Sequence, residues 1–237
     1  MKQKFSKPDF DLAKKFGKAL KKYGMLIDGE TIAVGMSGGK DSYTLLDLFY
    51  RRRRDFPIDY KLVAVHIDFG LSENQSKKIR QFCLERNIEC FIEKQELVIE
   101  EGREVNCFYC SWMRRTYLFQ FVHRLGIKKL AFGHHLNDCV ETIFLNMFYQ
   151  SKFESFLPKT TFFNGEFDLI RPLVLCSDKN IRAYADRNNL PYEGHKCPFG
   201  LLGERNSMRE MIKKLEEKDE RIVYNVFNSF MKEKEKL

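Results

Sequence analysis

The sequence has no apolar run that approaches the length of a membrane span, and its lysine-rich beginning has no apolar core of the signal-peptide kind. It also has no internal repeat and no low-complexity linker. Membrane-spanning, secreted and repeat architectures are therefore not expected. With 43% hydrophobic and 31% charged residues the composition is typical of a globular protein, and we expect it in the cytoplasm.

Acidic residues are fewer than basic ones, 33 Asp and Glu against 41 Lys and Arg, which gives a formal net charge of +8. Lysines are concentrated in residues 1–25, and a second basic block spans Arg51–Arg54. Such clusters bind polyanions through phosphate contacts, but a solvated helix face has the same composition. The two runs together support a nucleic-acid partner and a solvated surface about equally.

Short apolar runs typical of strands alternate with apolar residues at helical spacing. The strand signals lie at Thr31–Met36, Leu62–Ile67, Cys90–Ile92 and Lys129–Phe132. This alternation predicts an α/β fold, a Rossmann-like parallel sheet flanked by helices, with helical ends. We expect a basic N-terminal helix in residues 1–25, the sheet domain in 26–176 and a helical C-terminal cap in 177–237.

Two local predictions concern the second half of the chain. Asn164–Gly165 favours a hairpin, because both residues tolerate the backbone of a type I′ turn. The apolar pattern of Glu204–Met231 predicts one continuous helix. Trp112, the single tryptophan, is interpreted as a core residue in preference to a base-stacking platform.

The motif SGGKDS, Ser37–Ser42, lies directly after a strand and before a helix. Gly38 and Gly39 permit a tight turn and a close approach to a ligand, and the helix N-terminus offers free N–H groups to an anion. Lys40 adds a positive charge. An acidic residue inside the loop, Asp41, suits a magnesium-bound pyrophosphate leaving group. A Gly-rich turn capped by Ser and Asp is the alternative.

Three of the seven cysteines differ in context from the rest. Cys107 and Cys110 form a CxxC before a predicted helix, and Cys197 follows in GHKCPFG. Three thiolates with His195 would form a structural zinc site, whereas three alone would hold a [4Fe–4S] cluster with one iron open. Spacing does not decide between them. The other four, in apolar stretches, are expected to be buried: Cys83, Cys90, Cys139 and Cys176.

Asp138 and Glu141 lie three residues apart in the first turn of a predicted helix, on neighbouring faces. Carboxylates in this position also interact favourably with the helix dipole, so a structural role is as well supported as catalysis. After strand Lys129–Phe132 they would reach the carboxyl edge of the sheet, where open α/β folds bind ligands. Of His134 and His135, one is expected to be structural and one to line the site.

Five motifs together resemble the tRNA 2-thiocytidine synthetase family of PP-loop ATP pyrophosphatases. They occur in the family's order between about Thr31 and Cys197: SGGKDS, a CxxC followed by two arginines, GHHLNDCVET, IRPL and a late cysteine. Two features depart from the pattern. No second CxxC lies near the late cysteine, and the chain is shorter than typical members. The single CxxC also argues against the branch that thiolates T-loop uridine.

The resemblance implies an ATP-dependent tRNA sulfurtransferase that adenylates the C2 oxygen of cytidine 32 in the anticodon loop and replaces it with sulfur. Its cofactors would be ATP, Mg²⁺ and a [4Fe–4S] cluster, and its partners tRNA and a sulfur donor such as a cysteine desulfurase. The resemblance is also compatible with a homodimer. The rival functions are another adenylating enzyme of the superfamily, of 2-thiouridine or lysidine type, and a zinc-stabilised RNA-binding module.

The resemblance also assigns residues. Catalysis falls to Asp41, Arg114 and Asp138, and the cluster ligands are Cys107, Cys110 and Cys197. The nucleotide would contact a larger set: Ser37, Gly38, Gly39, Lys40, Asp41, Ser42, His66, Asp68, Gly133 and Asp138.

Overall fold

A computed structural model describes residues 6–53, 55–70, 72, 74–96, 107–193 and 204–236 of the protein. Within these ranges the chain alternates strands and helices. The helices are α1 (Lys7–Lys22), α2 (Lys40–Arg52), α3 (Gln75–Leu84), α4 (Cys107–Arg124), α5 (Leu136–Gln150), α6 (Asp178–Arg187), α7 (Glu204–Lys218) and α8 (Arg221–Lys234). The strands are β1 (Glu30–Gly35), β2 (Tyr60–Asp68), β3 (Glu89–Lys94), β4 (Lys129–Ala131), β5 (Lys159–Phe162) and β6 (Phe167–Ile170).

The six strands form one sheet in the order β3-β2-β1-β4-β6-β5. All neighbouring pairs are parallel except β5 and β6, which are antiparallel. The predicted parallel α/β fold is thus confirmed. The strand order reverses between β1 and β4, and the carboxyl ends of two such strands border the crevice in which open α/β sheets bind ligands.

Both faces of the sheet are covered by apolar side chains. On one face Ile32, Val34 and Leu62 pack with α1, α2 and α6. On the other, Val63, Val65 and Leu130 pack with Leu118 and Val122 of α4. Near-continuous apolar runs in β1 and β2 reflect this burial on both sides. A separate cluster joins α5 to α7 and α8, so the C-terminal helices pack beside the sheet rather than on it.

Two sequence predictions need correction in detail. The expected single helix over Glu204–Met231 is divided into α7 and α8, because the Asp219 carboxylate accepts the Arg221 N–H at 2.9 Å and starts a new helix. The predicted hairpin is present between β5 and β6. Its left-handed residues include Phe163 (φ 53°) as well as Asn164 (φ 54°), so the turn begins one residue earlier than the Asn-Gly pair suggests.

The basic block beginning at Arg51 is only partly available to a ligand. The Arg51 guanidinium donates to Tyr184 Oη at 3.0 Å and to Asn188 Oδ1 at 2.9 Å, and it lies 3.8 Å from the Asp47 carboxylate. Arg51 therefore joins α2 to α6, which occupies much of its guanidinium, and its predicted contact with phosphate stays a prediction. Arg53 is exposed, and Arg54 lies outside the described residues.

In the described ranges no helix has the length and apolar character needed to cross a membrane.

Candidate active site

The Ser37–Ser42 loop follows β1 and turns into α2 at the point where the strand order reverses. Gly38 has φ +77°, a conformation that side chains other than glycine rarely adopt. A Cβ at Gly38 would also stand 2.0 Å from Nε2 of Gln75, which donates to the Ser37 carbonyl at 2.7 Å. The Gln75 side chain, at the start of α3, thus packs over the loop at Gly38. The positive φ of this residue requires glycine.

Inside the loop, Ser42 holds the turn together. Its hydroxyl donates to the Gly39 carbonyl at 2.9 Å and accepts the Ser37 N–H at 3.3 Å. Gly39 is the N-cap of α2, and no side chain caps this helix. Free N–H groups and the positive end of the dipole therefore remain available to an anion such as phosphate.

His66 on β2 positions the loop from below. It is buried, and its Nδ1–H donates to the Met36 carbonyl, 2.7 Å away and one residue before Ser37. Burial, together with the charge of Arg114, lowers the pKa of His66, so the ring is neutral. Its buried Nε2 has no partner among the described residues. His66 therefore supports the strand end from which the loop starts, and its predicted contact with nucleotide stays a prediction.

The segment after β4 meets the phosphate loop from the side. A Cβ on Gly133 would lie 3.1 Å from Cβ of Asp41 and 3.0 Å from its carbonyl carbon. Only a residue without a side chain allows the two backbones this approach. Glycine is thus required for this packing against the phosphate loop, and the predicted contact of Gly133 with nucleotide stays a prediction.

His135 begins α5 as its N-cap in a reciprocal contact with Asp138. Nδ1 of His135 accepts the Asp138 N–H at 3.4 Å, and the Asp138 carboxylate accepts the His135 N–H at 3.0 Å. Burial opposes the ionised form of Asp138, but the charge of His135 and this N–H keep the pKa of its carboxyl below the ordinary value. Asp138 therefore orients His135, and its predicted contact with nucleotide or metal stays a prediction.

Four charged groups converge above the loop. Lys40 Nζ lies 2.8 Å from Oδ1 of Asp41 and 2.6 Å from Oδ1 of Asp178. His135 Nε2 lies 3.8 Å from Asp41 and 3.4 Å from Asp178. The elements that supply them are far apart in the chain, and the sheet edge brings them together.

The electrostatics of the cluster follow from this convergence. Burial alone would lower the pKa of His135, but Asp138, Asp178 and Asp41 outweigh it and raise that pKa to about 9. With this pKa the ring is charged at neutral pH, so Nδ1 then carries a hydrogen and gives up the 3.4 Å contact with the Asp138 N–H, while the charge faces three acids. Burial likewise opposes the charge on Lys40, while Asp41 and Asp178 raise its pKa. The pKa of Asp178 is lowered, against burial, by His135 and Lys40.

Asp178 was not among the sequence-predicted site residues. It is the first residue of α6, after the segment that follows β6. The signal present in the sequence was an acid in the first turn of a predicted helix near a strand end, which is also typical of ordinary helix N-termini. Only the sheet order, which puts β6 beside β4, brings this helix start to the phosphate loop.

The cluster has the donors that Mg²⁺ requires. Asp41, His135 and Asp178 each offer a ligand atom, and these atoms lie within 4.8 Å of one another. Magnesium prefers carboxylate oxygens, so Asp41 and Asp178 are the fitting pair. Lys40 Nζ lies between these two carboxylates, and a metal ion bound here would take over the contacts of its ammonium group.

Comparison with known proteins agrees with this geometry. Residues 8–216 match the PP-loop domain family. A tRNA-cytidine(32) 2-sulfurtransferase of Geobacter sulfurreducens is 38% identical over 84% of this chain and 79% of the relative. The enzyme of the same name from Polynucleobacter asymbioticus is 35% identical over 92% of this chain and 74% of the relative.

The chain belongs to the tRNA-cytidine(32) 2-sulfurtransferase family. The resemblance predicted from five motifs is thereby confirmed, and so is the enzyme class, a sulfurtransferase. Among solved structures, the U34-tRNA thiolase NcsA from Methanococcus maripaludis, determined with its [4Fe-4S] cluster, superposes with a TM-score of 0.82. It is 22% identical over 96% of this chain and 79% of that chain, a likeness that concerns the fold.

In this sulfurtransferase Cys107 and Cys110 lie in the first turn of α4, three residues apart in the chain. That spacing fits a pair of thiolates that share one metal or cluster. Cys197 and His195 lie outside the described residues. Cys83, Cys139 and Cys176 are buried as predicted and Cys90 is half-buried. Burial raises the pKa of Cys139 and of Cys176 to about 12, which makes these two poor ligands.

The remaining predicted residues take different places. Asp68 ends β2, where its carboxylate accepts the Gly70 N–H at 2.8 Å and the Ser76 hydroxyl at 2.5 Å, so it braces the β2–α3 connection. Arg114 is half-buried, with its guanidinium 5.5 Å from the Phe69 ring and its Nε without a partner among described residues. Trp112 is 49% exposed, so its interpretation as a core residue is wrong.

Glu141, the second acid of the predicted pair, has a structural role. It is buried on α5 and forms ion pairs with Arg205 and, at 2.8 Å, with Arg209, both on α7. A buried carboxylate with two guanidinium partners connects the C-terminal helices to the helix that starts at the active site.

Proposed function

We propose that this sulfurtransferase uses ATP to activate the C2 oxygen of cytidine 32 in tRNA and then replaces that oxygen with sulfur. The observation that carries the proposal is the uncapped start of α2, which faces Lys40, Asp41 and Asp178 where the strand order reverses. An anion site beside two carboxylates suits a magnesium-bound triphosphate. The names of its relatives supply the substrate.

In the first step the C2 oxygen of the base attacks the α-phosphorus of ATP, a P–O bond forms, and pyrophosphate leaves. The free N–H groups at the start of α2 would hold the phosphates, and Asp41 with Asp178 would hold Mg²⁺. Lys40, freed from these carboxylates, would neutralise charge on the leaving pyrophosphate. Arg114 would do the same at the α-phosphate. The base now carries AMP on its C2 oxygen.

In the second step a sulfur nucleophile adds at C2, the C–O bond to AMP breaks, and loss of a proton leaves the 2-thio base. AMP is a good leaving group, whereas an unmodified carbonyl oxygen is not. A [4Fe–4S] cluster held by Cys107, Cys110 and Cys197 would supply one iron without a protein ligand as the binding place for sulfide. We expect the sulfur to come from a donor such as a cysteine desulfurase, and the reaction to run in the cytoplasm, where tRNA is modified.

The test is a reconstituted reaction with anaerobically purified protein, ATP, Mg²⁺, sulfide and an anticodon stem-loop RNA that carries cytidine at position 32. We expect 2-thiocytidine by mass spectrometry, with one AMP and one pyrophosphate released for each thiolated base. ADP and phosphate as products would overturn the adenylation. AMP release that requires free lysine, with no thiolated base, would indicate a lysidine-type ligase instead.

A further inference from the structure

A cavity of about 240 Å³ lies between α4 and the β4–β6–β5 side of the sheet. It is smaller than the roughly 300–1,000 Å³ of typical sites for drug-sized ligands, a size that suits one small ring. Aromatic side chains supply much of its wall. The lining residues used below are Trp112, Phe119, Phe132, His134, Phe162 and Arg171.

The cavity borders segments that lead to both proposed reaction sites. His134 follows β4 and precedes His135, whose ring faces Asp41 in the phosphate loop. Trp112, which also lines the cavity, lies two residues after Cys110 on α4. A ring bound here would therefore lie beside the segment that leads into α5 and within about one helical turn, along α4, of the CxxC motif.

Arg171 is a buried cation that lacks an acidic partner among the described residues. It is 7% exposed. Its Nη1 donates to the Leu157 carbonyl at 2.6 Å and to Thr160 Oγ1 at 3.2 Å, and its guanidinium lies 4.9 Å from the Phe156 ring centroid. Its Nε–H is buried without a partner. A buried guanidinium with an unused donor is costly unless a ligand accepts from it.

His134 adds a second unused polar atom. Its Nδ1 is buried and has no hydrogen-bond partner in the described part of the chain. The ring lies among aromatic neighbours, 5.5 Å from Phe132 and 5.0 Å from Phe156 between centroids. Two residues that line one aromatic cavity thus each carry a polar atom without a partner among the described residues, an arrangement that suits a flat, polar ring.

We propose that this cavity binds the unstacked target cytosine of the RNA, with Trp112 as a stacking surface and Arg171 as the residue that distinguishes cytosine from uracil. The inference rests on the proposed function, because it names the substrate contact of that site. Proteins that read single-stranded RNA stack bases on aromatic rings and contact their Watson–Crick edges by hydrogen bonds. A phosphate group bound in this cavity would gain nothing from its aromatic walls, whereas a base would stack on them.

Discrimination follows from the chemistry of the two polar side chains. N3 of cytosine is an acceptor, whereas uracil carries a hydrogen at N3. The guanidinium of Arg171 has donors only, so it can bond to cytosine N3 and meets a second donor in uracil. The neutral ring of His134 can exchange donor and acceptor roles by changing tautomer, so it would tolerate either exocyclic group. Arg171 is thus the specificity residue.

The single tryptophan of the chain gives a direct binding assay. Fluorescence of Trp112 is followed while anticodon stem-loop RNA is added without ATP, with cytidine, uridine or an abasic nucleotide at the target position. We expect quenching with cytidine and at least about tenfold weaker affinity with uridine, since a site built for one hydrogen bond rejects its reversal. Equal quenching by all three RNAs would overturn the assignment of the cavity to the base.

The kinetic test compares Arg171→Gln and Arg171→Lys with Arg221→Gln, an exposed arginine on α8. Arg171→Gln should lower kcat/KM for the cytidine RNA about tenfold or more and narrow the cytidine-to-uridine preference. Arg171→Lys should retain part of the kcat/KM and part of the preference for cytidine. The control, Arg221→Gln, should leave both quantities unchanged. ATP affinity should be the same in all variants. Loss of ATP binding in Arg171→Gln would mean that the cavity serves the nucleotide.

Trp112→Ala keeps the test decisive if Arg171→Gln folds poorly, because the half-exposed Trp112 contributes little to the core. It should raise KM for the RNA and leave ATP affinity unchanged. If the wild-type protein forms no 2-thiocytidine, the proposed function fails. If the wild type thiolates cytidine but neither Trp112→Ala nor Arg171→Gln changes RNA affinity or preference, only the base pocket fails.

Discussion

The ammonium group of Lys40 lies 2.6 Å from Oδ1 of Asp178, and this ion pair joins the phosphate loop to the start of α6. The same ammonium contacts Asp41, its neighbour in the chain, at 2.8 Å. Two acids from distant parts of the sequence thus share one cation at the carboxyl edge of the sheet. The first two predictions follow from this sharing.

Asp41→Asn keeps the size of the side chain and removes its charge. ATP should still bind, because Gly38, Gly39 and the start of α2 remain, but RNA-dependent release of pyrophosphate should fall by roughly 100-fold through loss of a metal ligand. Single-turnover release from labelled ATP measures this, with ATP binding measured separately. Asp55→Asn, an exposed acid just beyond the other end of α2, is the matched control. Near-normal turnover would make Asp41 only a first-turn helix acid.

Asp178→Asn should raise the Mg²⁺ concentration needed for half-maximal turnover, with little effect on RNA affinity. If Asp41 and Asp178 bind one ion, the double variant should be barely slower than the slower single variant, because effects within one unit are not additive. Asp186→Asn, exposed near the other end of α6, is the control. Rate losses that multiply in the double variant would place the two acids in separate roles.

The three-thiolate site predicts iron and sulfide content by residue. After anaerobic reconstitution, Cys107→Ala, Cys110→Ala and Cys197→Ala should each lose the cluster absorbance and the bound iron. Cys90→Ala should retain both, since Cys90 lies on β3, away from the CxxC. A colourless wild-type protein that contains zinc would contradict the cluster, and full iron content in Cys197→Ala would contradict the third ligand.

The basic face of α1 predicts a salt effect. Lys14 and Lys18 are exposed opposite the buried stripe of Leu12, Phe16 and Leu20. Replacing both lysines with Gln should weaken binding of all tRNAs alike and reduce the slope of log affinity against log salt by about 1 to 2, if each contacts one phosphate.

The control for that experiment lies at the opposite edge of the sheet. Lys61 and Lys128 are exposed at the amino ends of β2 and β4, away from the active-site edge. Their replacement by Gln should leave the slope unchanged. An equal change of slope in both double variants would assign the effect to net charge rather than to a binding face.

Asp9 predicts a pH-dependent part of the stability. It is buried on α1, and although burial raises its pKa, hydrogen bonds from Arg187, Ser6 and Asn188 outweigh this and lower the pKa below 3.8. A carboxyl with a lowered folded-state pKa stabilises the protein above its unfolded pKa, and this stabilisation is lost as the pH falls toward the folded pKa.

Asp9→Asn should therefore lower the free energy of unfolding by about 1 to 3 kcal/mol at neutral pH. The difference from wild type should shrink below about pH 4, where the unfolded carboxyl becomes protonated. Urea unfolding over this range measures it. Asp11→Asn, on the exposed face of the same helix, should have little effect at any pH. A pH-independent difference for Asp9 would assign its role to packing.

The sequence predicted what depends on local pattern. The order of strands and helices, the loop at Ser37–Ser42 and the buried cysteines follow from periodicity and from glycine and helix-start chemistry. The role of Asp178 and the packing of Arg51 against Tyr184 could not be predicted in this way, because both depend on which elements the fold brings together. Trp112 was misplaced for the same reason. An aromatic residue on a helix is typical of a core. Only the structure shows that Trp112 is half-exposed and lines the cavity beside α4.

Because Lys40 already stands between Asp41 and Asp178, the two acids do not repel each other across an open gap when nucleotide is absent. Arrival of magnesium with ATP becomes an exchange of one counter-ion for another, in which the triphosphate attracts the displaced ammonium. The protein would then hold free magnesium weakly and accept it together with its nucleotide. Such a site responds to the complex of metal and ATP rather than to either alone.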